Sequence, residues 1–400
     1  MKQDGKQAME STDSPLMQHL SALIRETGPL TFARFMELAL YYDEYGYYMT
    51  GGGSARTTSP IGGEGSDFFT APCLSPVLAK CLVRQLAEID ERLGHPRVFH
   101  LVEMGPGEGT LLRDMLQECQ EQQASLLPRL TCILVERSPV FRRRQQETLA
   151  AWKEQGEKIR WVDDLQAISD GSLTGTLLSN ELVDAFPVHR VRMGQDGLRE
   201  LYVTSRDHTL QERWAEPSTP ELSSFLSDLG VELPVGFTTE ISLEAVKWIK
   251  RVARVLDRGV VITIDYGHTA RDYFAPERKN GTLMGYYRHT VSTNPYFRVG
   301  EQDLTAHVNF SSLARTGEQV GLTTTGLTNL QHFLMSLGID ELVRECDQES
   351  ATVRAAARLL RPHGMGTTFK VLMQHKGLVV PTLRGLRHRP FFDSVLVGAG

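Results

Sequence analysis

The residues best placed to do chemistry start in Val102-Glu103-Met104-Gly105-Pro106-Gly107-Glu108-Gly109-Thr110, where three glycines sit at alternate positions between an apolar run and a helical one. Glycine lets the backbone turn sharply and come close to a ligand, and the helix start that follows offers N–H groups. A dinucleotide fingerprint needs two residues between its second and third glycines, so that the helix end faces a pyrophosphate. Here Gly107 and Gly109 are separated by one, and Glu103 and Glu108 put negative charge on either side. Those carboxylates suit a cationic or polar ligand better than a diphosphate.

The elements that must carry this loop are a buried strand over residues 98–102 and a helix over 110–116 with an apolar stripe. A second buried strand, residues 130–136, ends in Glu136, the place from which an acidic side chain accepts both ribose hydroxyls in doubly wound folds. A third, 159–162, ends in Asp163-Asp164, which could reach an adenine or cap the short helix through Leu165 and Ile168. The fourth, 176–179, runs into Asn180-Glu181-Leu182-Val183-Asp184-Ala185-Phe186-Pro187-Val188. In an open parallel sheet the ligand crevice lies beyond the strand C-termini, so Asn180 and Glu181 are expected to face it. Glu181 and Asp184, three apart, are suited to a cationic acceptor. The fifth strand, 259–267, again sets a carboxylate, Asp265, at its C-terminal end. S-adenosyl-L-methionine (SAM) has ribose hydroxyls, an ammonium and a sulfonium but no phosphate. The expected contacts for it are Glu103, Gly105, Gly107, Gly109, Glu136, Asp163 and Asn180.

Five segments then carry a resemblance: Gly65-Ser66-Asp67-Phe68-Phe69-Thr70-Ala71-Pro72, Glu103-Met104-Gly105-Pro106-Gly107-Glu108-Gly109-Thr110-Leu111, residues 179–188, Asp265-Tyr266-Gly267-His268 and Met365-Gly366-Thr367-Thr368-Phe369. In this order, over about residues 15–377, they resemble the MidA family of SAM-dependent methyltransferases. The resemblance implies an α/β class I methyltransferase (Rossmann-like) core with a seven-stranded sheet. It also implies a protein substrate, because mitochondrial members of the family methylate an arginine of a respiratory complex I subunit; the partner expected is such a respiratory-complex subunit or another protein. Thr70 and Pro72 are expected at the cofactor mouth. The family commonly has a basic residue where this chain has Glu108, and the stretch 281–289 matches only approximately.

Asp303 and His307 stand four apart, a spacing that would share a helix face and that occurs in metal sites, but no third ligand follows at metal spacing. Asp303 is read as a helix cap and His307 as a group that seats the acceptor or takes its proton. The expected reaction is in-line methyl transfer, in which alignment does most of the catalysis. Glu181, with Asp184 or Asp265, would orient a guanidinium by bidentate hydrogen bonds. Two other readings share part of the pattern. An NAD-dependent oxidoreductase has the strand–loop–helix–acid order but a different glycine spacing. A non-enzymatic assembly factor on a SAM fold would have no use for polar groups such as Asn180 and Glu181 in the crevice.

The net charge of −6 argues against sequence-independent binding of nucleic acid, which needs a basic surface. Five scattered cysteines, none in a C-x-x-C pair, indicate a reducing compartment, with no disulfide framework or zinc site. No stretch approaches the roughly twenty apolar residues of a spanning helix, and no particular oligomeric state is signalled. With Asp4, Glu10 and Asp13, the start of the chain resembles neither a secretory signal nor an acid-poor transit peptide, so cytoplasm is the expectation.

Residues 1–95 are expected to form a helical cap over the site: a polar, unstructured start to residue 14, helical spacing over 15–40 broken at Gly28-Pro29 with a cap at Thr31, a tyrosine cluster, a Gly/Ser/Thr-rich loop at 51–66, and a helix over 75–93. Residues 96–400 are expected to form the core. Insertions are placed at about 188–240, with strands turning at Gly194-Gln195-Asp196-Gly197, and at 268–320. A helix over 242–256, a helix-rich piece over 327–360 and a closing strand over 368–373 complete the reading. Arg142-Arg143-Arg144 reads as a solvated helix face.

Overall fold

The computed structural model describes residues 14–52, 59–62, 67, 75–156, 158–207, 209–344, 347, 350–361, 364–379 and 382–388. Its central sheet is built from β1 (Phe99–Met104), β2 (Leu130–Val135), β3 (Ile159–Val162), β4 (Leu173–Asn180), β5 (Leu256–His268), β6 (Thr323–Asn329) and β7 (Phe369–Lys376), in the order β6-β7-β5-β4-β1-β2-β3. Strands β1 to β5 pair in parallel, and β7 runs antiparallel to both β5 and β6. This is the doubly wound order of the class I methyltransferase fold, and it puts the ends of β1, β2, β4 and β5 along one edge.

The sheet is covered on both faces, which is why its central strands β1, β2, β4 and β5 read as largely apolar runs. Leu101 and Ile262 face helices α3 (Val77–Arg92) and α4 (Thr110–Gln122), while their chain neighbours Val102 and Val261 face α6 (Leu243–Val255) and α7 (Phe310–Gln319). Between these helix pairs in the chain lies α5 (Pro139–Thr148), which follows β2. The lower part of the sheet is unusually tight. Gly175 on β4 and Gly259 on β5 are paired neighbours with φ of +143° and +148°. A Cβ on Gly259 would lie 1.9 Å from the Gly175 carbonyl oxygen, and one on Gly175 would lie 2.2 Å from that of His100 on β1.

Between β4 and β5 the chain makes a second, antiparallel sheet from His189–Gly194, Gly197–Arg206, Thr209–Ala215 and Thr238–Ile241. Helices α1 (Pro15–Thr27) and α2 (Phe32–Tyr41) pack Leu16, Leu20, Phe32 and Phe35 against Leu201 and Val203 of this sheet. Leu30–Thr31, between the two helices, pairs antiparallel with Tyr202 and Val203. Ser14 caps α1 by accepting from the Met17 N–H, and Thr31 caps α2 through Arg34. Residues 1–13 and most of the 51–66 loop lie outside the described residues.

Two element readings are corrected. Asp303 and His307 share no helix: Asp303–Thr305 is a strand paired with Met284–Tyr287, and Val308–Asn309 extends the sheet beside the end of β5. The alternation of Asp-Leu-Thr-Ala satisfies a strand, and α7 begins only at Phe310, capped by Asn309 instead of Asp303. The piece from residue 327 opens with the end of β6 before its first helix, Leu330–Ser336.

Candidate active site

The glycine loop leaves β1 and enters α4. Gly105, Gly107 and Gly109 all have positive φ, so any side chain there would be strained. A Cβ on Gly105 would strike Leu182 at 2.8 Å, and one on Gly107 would press on Ile61 at 3.3 Å. Gly109 serves a different purpose from the other two. It does not line the cavity, and its missing side chain lets α4 lie against Gln145 of α5.

Above the strand ends opens a cavity of about 810 Å³. Glu103, Gly105, Gly107, Glu136, Asp163, Asn180, Glu181, Asp184 and His307 all line it, so the structure brings together nine of the residues singled out from sequence. Thr70 and Pro72 lie outside the described residues. Gly109 and Asp265 are the exceptions among the rest: Gly109, expected as a cofactor contact, packs against α5 instead, and Asp265 lies below the cavity. Asp265 is fully buried; its Oδ2 accepts from the backbone N–H groups of Leu182 (3.2 Å), Val183 (2.9 Å) and Asp184 (3.3 Å), and its Oδ1 from Tyr266 (2.9 Å). With both oxygens committed to amides, Asp265 is a positioning residue for the turn that carries Asp184, and the expectation that it grips an acceptor is withdrawn.

The two ends of the cavity differ in character. At the glycine-loop end, Glu136 accepts from the Ser138 N–H at 2.8 Å and from Gln145 Nε2 at 3.0 Å. Gln145 also donates to the Gly107 carbonyl at 2.8 Å and receives the Trp161 indole N–H at 3.0 Å, so this one side chain ties the loop to the ends of β2 and β3. Nothing in the polar run around it marked Gln145 in the sequence. Two of the three arginines read as a solvated face also turn inward: Arg142 pairs with Asp163 and the Glu136 carbonyl, and Arg144 pairs with Glu108 at 3.1 Å. Asp163 is thereby held at the rim. Asp164 caps the short helix after it through the Gln166 N–H at 2.8 Å.

At the other end sit Asp184 and Asp303, both buried, among Tyr41, Tyr48, Tyr266 and Tyr286. The Tyr266 hydroxyl donates to Asp184 Oδ2, and that of Tyr48 to Asp303 Oδ1 at 2.8 Å. Tyr41 and Tyr48 stack at 5.5 Å between ring centres. Sequence reasoning missed Tyr48 and Asp303 as site residues, because only the fold brings two groups so far apart in the chain together. Glu181, which takes Asn180 Nδ2 at 3.2 Å, has φ of +53°, a left-handed conformation that is uncommon outside glycine.

Among the described residues, three buried oxygens of cavity-lining side chains have no hydrogen-bond partner: Glu103 Oε2, Asn180 Oδ1 and Asp184 Oδ1. Buried acceptors are rarely left so unless something else completes them. Two of them stand at the ends of β1 and β4 beside the glycine loop, where the ammonium and hydroxyl donors of SAM would satisfy them; the residues present fit the group.

Burial raises the pKa of four of these carboxylates, Glu103 to about 8, Glu136 to about 7, Asp184 to about 6 and Asp303 to about 8. The folded protein therefore holds protons that the unfolded chain has lost at the same pH. Their contribution to stability is most favourable at or below the ordinary carboxylate pKa and declines as pH rises through the folded values. Above about pH 6.5, where the buried histidines with lowered pKa no longer oppose it, the free energy of unfolding in urea should fall toward pH 8.5 by on the order of a few kcal/mol. Saturating SAM, a cation, should recover most of the loss at the alkaline end. An unfolding free energy that rose with pH over this range would contradict the buried acids.

Residues 81–328 match Methyltransf_28, a family described as S-adenosyl-L-methionine-dependent methyltransferases. Two curated relatives are the protein arginine methyltransferase NDUFAF7 of rat, 27% identical over 95% of this chain and 89% of the relative, and that of human, 26% identical over 98% and 91%. A Burkholderia thailandensis protein crystallised with S-adenosyl-homocysteine superposes with a TM-score of 0.84 at 30% identity, covering 97% of this chain and 98% of the other. The relatives correct one expectation. The rat, fruit-fly and human proteins are mitochondrial, which overturns the cytoplasmic reading; scattered cysteines without a C-x-x-C pair point to a reducing surrounding, which more than one compartment provides. Family match, topology and the acid-lined crevice agree, and the chain belongs to this family of S-adenosyl-L-methionine-dependent methyltransferases.

Proposed function

We propose that this enzyme methylates a guanidino nitrogen of a protein arginine. The observation that carries the reading is the far end of the cavity, where Asp184 and Asp303 are buried among four tyrosines and, among the described residues, form no ion pair with any basic side chain of the chain itself. Two carboxylates buried without a counter-ion are costly unless a cation arrives from outside. A guanidinium is planar, always charged and able to bridge carboxylates, and it stacks on aromatic faces. The arginine methyltransferase activity named for the relatives supports the same acceptor. The partner is then a protein presenting an arginine, such as a respiratory-complex subunit.

SAM supplies an electrophilic methyl group on sulfonium. Glu103, Asn180, the loop glycines and Glu136 would hold it, with Asp163 at the adenine rim. Glu181 and Asp184 orient the acceptor, and α2 with the tyrosines that follow it closes one side of the site. Holding nucleophile and methyl in line can contribute up to about 7–11 kcal/mol without a covalent intermediate.

Calorimetric titration with SAM should give micromolar binding that Gly107→Val loses at least a hundredfold, because valine at φ of +53° is strained and presses on Ile61. Incubating the protein with methyl-labelled SAM and a protein extract should place label in methylarginine on amino-acid analysis. Label in lysine or carboxylates, with none in arginine, would overturn the acceptor assignment.

A further inference from the structure

Methylating an arginine raises a question of charge that the site itself answers. The guanidinium arrives carrying +1, and joining a methyl cation to it without losing a proton would give a dication. Transfer must replace an N–H bond by N–CH3, with the electrons of the old carbon–sulfur bond remaining on sulfur, so one proton needs a place to go. Among the described cavity groups, Glu181, His307 and the acid pair Asp184 and Asp303 are the candidates; Glu181 is the clamp whose charge must stay on the guanidinium, which leaves the other three.

His307 is poorly suited. Arg278 Nε can only donate, and it donates to His268 Nε2 at 3.1 Å, so that nitrogen is an acceptor. The His307 Nδ1 at 3.0 Å from the same atom must then carry the hydrogen, which leaves His307 Nε2 as a lone pair. Burial and the charges of Arg278 and Lys370 push His307 down to about 4. Such a ring can accept a hydrogen bond from an incoming guanidinium, but a second positive charge beside two cations is unfavourable. His307 thus seats the acceptor and does not keep its proton.

We propose that Asp303 is the proton acceptor of the reaction: it gives up a proton when a guanidinium enters the cavity and takes one back from the guanidino nitrogen as that nitrogen is methylated. This rests on the arginine reading above. The geometry is that of two buried carboxylates lining one desolvated cavity, each with a tyrosine hydroxyl on one oxygen, where the charge of one disfavours ionisation of the other. Facing Asp303 are Tyr48 and Tyr41 from the N-terminal segment, Asp67 from the loop that follows, Asp184 from the turn after β4, and Tyr286 from the strand beside it. Apart from Asp184 and Asp67 these are phenols, and burial keeps Tyr41 and Tyr48 protonated. Burial and the charge of Asp184 hold Asp303 protonated at neutral pH while the pocket is empty. A bound guanidinium reverses that preference, and both carboxylates ionise. When the methyl arrives, the N–H proton returns to Asp303, so the pocket as a whole keeps its charge until the product leaves.

The test is calorimetry of ethylguanidinium binding to the full chain saturated with S-adenosyl-homocysteine, at neutral pH in buffers of different ionisation enthalpy. The wild type should release about one proton per guanidinium bound, and Asp303→Asn close to none. Tyr48→Phe removes the hydroxyl that favours the charged carboxylate, so the pH of half-maximal release should move upward while release persists. Equal release by wild type and Asp303→Asn, or release lost in His307→Asn but not in Asp303→Asn, overturns the inference and leaves the arginine reading standing. No binding of ethylguanidinium to the wild type overturns both.

Discussion

Gly259→Val is expected to leave the protein insoluble, with no cooperative unfolding transition in whatever fraction can be recovered. A branched side chain at φ of +148° is strained before it meets anything. Its Cβ would then lie 1.9 Å from the Gly175 carbonyl oxygen, inside the ladder that joins the two central strands. Relief needs β4 and β5 to part by more than an ångström. Because β4 is pressed in turn against His100 of β1, the displacement reaches a third strand. The expected loss exceeds about 4–5 kcal/mol, the level at which single substitutions become exceptional, and it approaches the whole stability of an ordinary domain. Urea unfolding of any soluble fraction, beside Gly156→Val at an exposed turn with nothing near its Cβ, separates the steric clash from a general cost of replacing glycine at positive φ.

Glu181→Gln should reduce methyl transfer by about 10²–10³ and leave the affinity for SAM within a few fold and the urea midpoint unchanged. Glutamine keeps the shape, the left-handed backbone and the Asn180 contact at 3.2 Å, and removes only the charge opposite the acceptor. The strained backbone sharpens the test. A non-glycine residue in this conformation costs on the order of 1–3 kcal/mol, so Glu181→Gly should raise stability by some tenths of a kcal/mol while losing activity at least as completely. Single-turnover rates read the chemistry apart from binding. Full turnover in Glu181→Gln would mean that the carboxylate does not hold the acceptor.

The strands that carry the site were readable because each is covered on both faces and so is largely apolar. Strand β6 was not: Thr-Thr-Thr-Gly-Leu-Thr-Asn has one large aliphatic, and Thr325 and Thr328 are buried only because helices happen to cover them. The acids at the strand ends could be located for the same reason as the strands. Their roles depended on what folds back over them. Asp265 was expected at the end of β5, facing the crevice, but the strand runs on to His268 and the 182–184 turn closes on Asp265 and consumes its oxygens in amides. Gln145 sits in a run of arginines and glutamines that looks like a wet helix face, yet it is fully buried, because the polar atoms it meets belong to the glycine loop and Trp161. Asp303 and Tyr48 are joined across most of the chain, and no local spacing could pair them.

The short ladder between Leu30–Thr31 and Tyr202–Val203 also sets a timetable for biosynthesis. Translation proceeds from the N-terminus, so Leu16, Leu20, Phe32 and Phe35 leave the ribosome long before the sheet they are built to cover. At ~5–20 residues per second the wait from Thr31 to Tyr202 is roughly 10–30 s, during which two amphipathic helices have no native surface to bury. The first strands of the central sheet emerge within that interval, so α1 and α2 dock only after much of the chain that follows them has been made.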